Sequence, residues 1–333
     1  MKVRYGKTID SSRLKISVDK TQSIQAAQAA SRSIAPGPYV HSCPVCFSGK
    51  FDPLWTIYGF DYGQCLLCET ALVLNPPSED RLRDIYSSEY YTSSNQKLYA
   101  NEDVLRYRLD NIASPKVDFV LESVEPRPNS WLDIGCGTGE ILKVASDRGL
   151  RVAGAETNAM QREFAKKRFG LDILGEFVTE KNIASLGGEF DVVSLFSVLE
   201  HVLAPDALLK ELSSIQKRGS HLVVEVPYFP SLSTASQGTF PDLVNRMMHP
   251  PLHLFLFSVK GLQVLLERNG YRIRHCWFFG QDIYEFLTTM FLVTPSLRGS
   301  ALERTLMSFV GDFQQIVDER GLSDEMLVIS VKE

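Results

Sequence analysis

Trp131-Leu132-Asp133-Ile134-Gly135-Cys136-Gly137-Thr138-Gly139-Glu140 is the stretch whose reading decides the fold. A short β-prone run ends in three alternating glycines, and a helical segment begins directly after them. Glycines fall there because the backbone must turn tightly and let a ligand come close. Their spacing is Gly-x-Gly-x-Gly. A loop for the pyrophosphate of a dinucleotide prefers Gly-x-Gly-x-x-Gly, which bares a helix N-terminus to the phosphates. Here Glu140 stands at that point, and its charge in the first helical turn opposes a phosphate. A phosphate-free nucleoside suits the loop better. Glu156 lies 21 positions beyond Gly135, at the end of the next strand, where a carboxylate can accept hydrogen bonds from both ribose hydroxyls of an adenosine. Taken alone, such a turn is also an ordinary strand-to-helix connection.

Working outward, β-rich runs alternate with helical segments, the pattern of a parallel sheet with helices on its faces. The expected strands are 131–134, 151–156, 171–174, 191–196, 221–226, 271–278 and 327–331. Gly149, Gly170 and Gly270 stand where helices should stop in a left-handed C-terminal cap. Residues 124–333 thus read as one α/β domain with a seven-stranded, mostly parallel sheet. A mainly helical insertion, 281–324, is the expected source of substrate contacts or of subunit contacts in a homodimer.

Upstream the composition changes twice. Residues 1–38 are rich in Ser, Gln, Ala and Lys, lack a sustained apolar period, and read as a mobile arm. Residues 39–77 hold two cysteine pairs among aromatic and β-prone residues and form a small ribbon-like domain. Residues 78–123 read as helical, with Ser78 as N-cap ahead of Leu82, Ile85 and Tyr86, and a second helix over 101–123.

Cys43-Pro44-Val45-Cys46 and Cys65-Leu66-Leu67-Cys68 are separated by 18 residues. That spacing fits four thiolates around one structural zinc ion, each pair forming one knuckle. Redox pairs and free buried cysteines are the alternatives; redox Cys-x-x-Cys motifs normally start a helix within their own βαβ fold. The aromatics Phe47, Phe51, Trp55, Tyr58, Phe60 and Tyr62 could stack nucleic-acid bases, yet a unit this small also needs them as core. Lys50 is the sole basic residue from 39 to 74, and the whole chain of 333 residues carries a formal charge of −5. Nucleic acid is therefore disfavoured, and a small-molecule or saccharide substrate is favoured. The opening residues lack the apolar core of a secretory signal and the apolar runs are too short to span a bilayer, so a cytoplasmic protein with no membrane partner is expected.

Leu-Asp-Ile-Gly-Cys-Gly-Thr-Gly, an acid at the second strand end, and Val198-Leu199-Glu200-His201-Val202 before a helix resemble class I S-adenosylmethionine methyltransferases over 131–278. The resemblance implies a Rossmann-like fold. It places Asp133, Gly135, Gly137 and Gly139 along the methionine half of the cofactor, Glu156 on the ribose, Thr157, Glu176 and Phe177 around the adenine, and Phe196 beneath the sulfonium. The cysteine pairs, followed by Leu74-Asn75-Pro76-Pro77-Ser78 and Tyr86-Ser-Ser-Glu-Tyr90-Tyr91, extend it to residue 39. They resemble a bacterial subgroup associated with sugars, polysaccharides and secondary metabolites. In that subgroup the tyrosine-bearing segment folds over the cofactor, which makes Tyr90 and Tyr91 lid candidates; packing between domains is the alternative.

On the acceptor side, His201, His253 and Tyr228 are the candidate catalytic residues, since imidazole is the usual base at neutral pH. Each also has a structural reading, as a cap, a buried histidine bonded to backbone, or a shield for the core. His253-Leu254-Phe255-Leu256-Phe257-Ser258 resembles the Glu-His-Leu-x-x-Phe-Ser motif of sugar C-methyltransferases, but Leu252 replaces the glutamate. That departure favours O- or N-methylation over C-methylation. The rival readings are a nicotinamide dehydrogenase, opposed by Glu140, and an inactive scaffold that recruits a partner through its zinc unit.

Overall fold

The computed structural model describes residues 1–6, 28–29, 31–87, 101–176, 182–186, 188–240, 243 and 247–333. Eleven strands occur among them: β1 (Lys2–Tyr5), β2 (Phe51–Ile57), β3 (Phe60–Cys65), β4 (Ala71–Val73), β5 (Ser130–Ile134), β6 (Arg151–Ala155), β7 (Val192–Phe196), β8 (His221–Pro227), β9 (Phe255–Leu256), β10 (Tyr271–Phe279) and β11 (Glu325–Lys332). The main sheet runs β1-β10-β11-β8-β7-β5-β6, and β11 is antiparallel to both its neighbours while the other pairings are parallel. Helices cover both faces, which establishes the α/β, Rossmann-like class. The carboxyl ends of β5, β6, β7 and β8 form one edge, the place where such sheets bind ligands.

Two expectations about the sheet need correction. Residues 171–174 do not form its seventh strand: only Leu174 pairs, by an isolated bridge to Ala155, because Leu171 and Ile173 turn inward to pack against Gly139. The seventh strand is β1, within the stretch read as a mobile arm. It carries too few apolar residues to announce itself, being an edge strand joined by backbone pairing to β10. Arg4 fixes it further, its guanidinium 4.9 Å from the Trp277 ring centroid and 5.3 Å from that of Phe119. The other end of the supposed arm is also anchored. Gly37 N–H donates to Asn75 O, Val40 N–H to Leu74 O, and the buried Ser31 hydroxyl to Pro250 O.

Nor is the cysteine-bearing unit a separate body. Its strands β2, β3 and β4 continue into β9, which the chain supplies some 180 residues later, giving a second sheet ordered β2-β3-β4-β9. Cys43, Val45, Ile57, Phe60, Cys65, Cys68 and Leu72 belong to the same apolar cluster as Leu132, Leu195, Val224 and Leu266 of the main sheet and its helices. Phe60 and Tyr62 are core residues, while Phe47 stays exposed with the Arg268 guanidinium 4.2 Å from its ring centroid.

On the opposite face, the helices Ser114–Ser123 and Glu140–Asp147 bury Val117, Val120, Val144 and Ala145 against Trp131, Val192, Val223 and Trp277. Lys116 enters this face, and its ammonium lies 2.7 Å from the Glu225 carboxylate, both groups buried. Removing one member of a buried pair typically costs about 3–5 kcal/mol. Lys116→Met should therefore lower the unfolding free energy by about that much in a denaturant titration, and Lys116→Met/Glu225→Leu should recover most of it. A loss under about 1 kcal/mol in the single variant would show that the pair is not a supporting element.

The insertion contains the helices Asp282–Val293, Ala301–Ser308 and Val310–Glu319. Both its ends rise from the ligand edge and are tied together. Asp282 accepts hydrogen bonds from the backbone amides of Ser233 and Asp324, each at 2.9 Å, and from Gln314 Nε2. Asp324 in turn accepts from the Gln281 amide and the Ser233 hydroxyl.

Candidate active site

The glycine loop sits where the sequence placed it. Gly135 has a φ of +67°, which favours glycine, and a Cβ there would come within 2.6 Å of Val198 Cγ2. The loop is tied to the end of β6 by the Gly135 and Cys136 amides, which donate to Ala155 O at 2.8 and 3.1 Å. Glu156 completes the link. One carboxylate oxygen accepts from Gly137 N–H at 3.0 Å and the other from Asn158 N–H at 2.8 Å. A carboxylate oxygen has capacity beyond one hydrogen bond, so both remain able to accept a hydroxyl.

Asp133 is buried beside the loop. Trp131 Nε1–H donates to the Ser194 hydroxyl at 2.7 Å, and that hydroxyl donates to Asp133 Oδ1 at 2.6 Å, a chain reaching from β5 to β7 and back. Burial pushes the Asp133 carboxyl up to about 7; the Ser194 bond pulls it down, and the charges of Glu156, Glu225 and Glu140 raise it. Burial also works against ionisation of Glu140, but the Arg108 guanidinium at 2.8 Å and the Thr138 hydroxyl at 2.6 Å outweigh it and hold the carboxyl below its ordinary range. The Glu140 charge is thus neutralised by a cation from the helix Glu102–Arg108. Glu140 therefore offers no unpaired charge to oppose a phosphate, and Arg108, 32 positions upstream, carries no local signal of this role in the sequence.

The remaining candidates for the cofactor are spread around this edge. Thr157 and Glu176 are both exposed beside the end of β6, where Glu156 N–H donates to Leu174 O. Phe196 ends β7 with Lys116 Nζ 5.7 Å from its ring centroid, so a protein cation already occupies one face of the ring proposed for the sulfonium. Tyr90, Tyr91 and Phe177 lie outside the described residues.

Of the acceptor-side candidates, His201 and His253 come together, their ring centroids 4.8 Å apart. Burial pushes His201 down to about 4, and burial together with the nearby His201 does the same to His249. Tyr228 is not part of this pair; its ring packs edge-on against Phe278, at 5.0 Å, towards β10. Glu200, noted in the sequence only as part of the motif, is fully buried, with neither carboxylate oxygen hydrogen-bonded.

At the cysteine cluster the four sulfurs lie within 4.8 Å of one another. Cys43 Sγ is 3.7 Å from Cys68 Sγ, and Cys46 Sγ is 3.4 Å from Cys65 Sγ. A tetrahedral zinc with bonds near 2.3 Å sets its sulfurs about 3.8 Å apart, so the cluster fits the ion. The two knuckles share one turn: Phe47 N–H donates to Cys43 O and Glu69 N–H to Cys65 O, with Phe47 and Glu69 both at positive φ. Lys260 and Arg268 stand against the knuckles, through Glu69 Oε1 at 2.8 Å and Val45 O at 2.9 Å. Each of these cations is already paired with a carboxylate, Lys260 with Glu69 and Arg268 with Asp206 at 2.7 Å.

Comparison with known proteins agrees with this geometry. Residues 105–276 match the model of a methyltransferase domain family. The chain is 35% identical over 105 residues to a ubiquinone biosynthesis O-methyltransferase of Brucella ovis, covering 30% of this chain and 42% of that protein. It is 27% identical over 118 residues to the protein of that name from Stutzerimonas stutzeri, covering 34% of this chain and 51% of the relative. The chain thus spans about half the length of the curated relatives it matches, or less. Among solved structures, magnesium protoporphyrin IX methyltransferase from Synechocystis with bound SAH is 15% identical, with a TM-score of 0.49, over 77% of this chain and all of that one. No helix among the described residues is long and apolar enough to cross a membrane. With the family model spanning just over half of its residues, from the helix that carries Arg108 to β10, the chain belongs to the methyltransferase domain family.

Proposed function

We propose that the protein transfers a methyl group from S-adenosylmethionine to a hydroxyl oxygen of a small polar metabolite or saccharide, with zinc as a structural ion in the cysteine cluster. Support for the cofactor rests on one observation above others: Glu156 is held against the glycine loop by two backbone amides, with acceptor capacity left for a ribose diol. Oxygen is favoured as acceptor by the matched relatives, which are O-methyltransferases by name, and by the absence of a glutamate at position 252. S-adenosylmethionine supplies an activated methyl group on a sulfonium. The chain's part is to bind and align, since holding donor and acceptor in line can account for most of the acceleration. Asp133 offers a carboxylate to the cationic amino-acid end, and His201 and His253 lie on the side assigned to the acceptor.

Calorimetry with S-adenosylhomocysteine tests this reading. Binding is expected, with no comparable binding of NAD; preferential binding of NAD would overturn it. The Asp133 carboxyl adds a pH signature. It is half protonated near pH 7 in the free protein, a ligand ammonium beside it favours the ionised form, and binding therefore releases protons. Affinity should rise between pH 6 and 8, with proton release seen as a dependence of the heat on buffer ionisation enthalpy. A pH-independent affinity would remove Asp133 from the ligand's surroundings.

A further inference from the structure

Glu200, His201 and His253 form a second cluster of potential ligands, distinct from the thiolates, with one donor atom from each lying within 4.8 Å of the others. It rests on more than proximity. A glutamate with no exposed surface and no hydrogen bond to either oxygen is costly, because a carboxylate removed from water needs a proton or a cation close by. No lysine or arginine is paired with it among the described residues. The nearest partner is His201 Nε2, 3.7 Å from Oε1.

The histidines are oriented to offer lone pairs. His201 Nδ1 lies 2.9 Å from Leu252 O, and His253 Nδ1 lies 3.0 Å from Met247 O. A carbonyl oxygen only accepts, so each Nδ1 carries the proton and each neutral ring presents a basic Nε2. This is the backbone-carbonyl arrangement that fixes the tautomer and aim of metal-ligating histidines. A basic nitrogen and a buried carboxylate face each other across 3.7 Å, a gap suited to an ion. Two ligands bonded to one tetrahedral zinc at about 2.0–2.1 Å stand about 3.3 Å apart, a closure of less than half an ångström.

We infer that Glu200, His201 and His253 bind one divalent cation of the zinc type, in a three-ligand site with a coordination position left open. Two imidazoles and one carboxylate suit zinc and its neighbours in the first transition row rather than magnesium or calcium, and an open position marks catalytic rather than structural sites. The site adjoins the cofactor loop, since Val198, two residues before Glu200, packs on Gly135. That an acceptor hydroxyl takes the open position rests on the methyl-transfer reading above; binding of the cation does not.

Cobalt(II) titration of the full chain separates the two metal sites. Cobalt on thiolates shows intense ligand-to-metal bands in the near ultraviolet, whereas cobalt on imidazole and carboxylate shows only weak visible bands. One equivalent per chain is expected in each class, confirmed as two metals per chain by mass spectrometry. Glu200→Gln and His253→Asn should each lose the weak-band equivalent and keep the thiolate bands, with S-adenosylhomocysteine binding retained by calorimetry. His253→Asn carries the test if the glutamate variant does not fold. A wild-type chain that takes cobalt only with thiolate bands, or variants that keep the second equivalent, would overturn the site. Loss of homocysteine-cofactor binding in the wild type would count against methyl transfer and leave the metal count standing.

Discussion

Cys65→Ser is expected to destabilise the whole chain and not only its cysteine-bearing segment. Structural zinc contributes about 10–16 kcal/mol of apparent binding energy in small zinc modules, as much as the entire stability of an ordinary domain. Here Cys43, Cys65 and Cys68 sit in the same apolar cluster as the centre of the main sheet, and β4 pairs with β9. A ribbon that loses its ion therefore exposes one wall of the main core. Thermal melting should shift downward as a single transition in the variant, and in the wild type treated with a strong chelator. The near-ultraviolet circular dichroism of Trp131 and Trp277, fully buried in the main sheet, should be lost in the same step. Full metal occupancy with unchanged melting would refute the four-thiolate site; early loss of the ribbon with the tryptophan signal intact would refute the shared core.

Glu156→Ala should weaken S-adenosylhomocysteine binding by about two to four powers of ten, as two charge-assisted hydrogen bonds of about 1.5–3 kcal/mol each would predict. The same change deprives the Gly137 and Asn158 amides of their acceptor, loosening the loop before any ligand arrives. Glu156→Gln, which keeps one carbonyl oxygen, should fall between. Calorimetry measures all three, and an undiminished affinity in the alanine variant would take the ribose away from this residue.

The parts legible in the sequence were those that follow from local pattern. A glycine turn, an acid at the next strand end and β–α alternation are contiguous signals, and six of the seven expected strands of the main sheet form within a residue or two of their predicted bounds. What stayed hidden depends on chain-distant pairing. The seventh strand is a four-residue edge whose Lys2 and Arg4 mask any apolar period. The fourth strand of the smaller sheet is the two-residue β9, too short to register as a pattern, and with it went the fusion of two supposed domains into one core. Charge compensation was equally invisible: Arg108 for Glu140 and Lys116 for Glu225 come from helices 32 and 109 positions away. In the candidate site, Glu156, His201 and His253 were singled out one by one from motifs, and nothing in those motifs announced that the two histidine rings lie 4.8 Å apart; Tyr228, singled out because it follows a strand end, packs against Phe278.

The knot of Asp282 and Asp324 has a consequence for how such a protein can diverge. The helices between them leave and re-enter the body at one point, so the entropy of closing that excursion grows only slowly with its length, and the junction is held partly by main-chain amides of Ser233 and Asp324, whose donors do not depend on side-chain identity, and partly by the Gln314 and Ser233 side chains. Changes of length in the segment should therefore be best accommodated away from Gln314, in the exposed turn around residues 295–300, with the sheet beneath keeping its register.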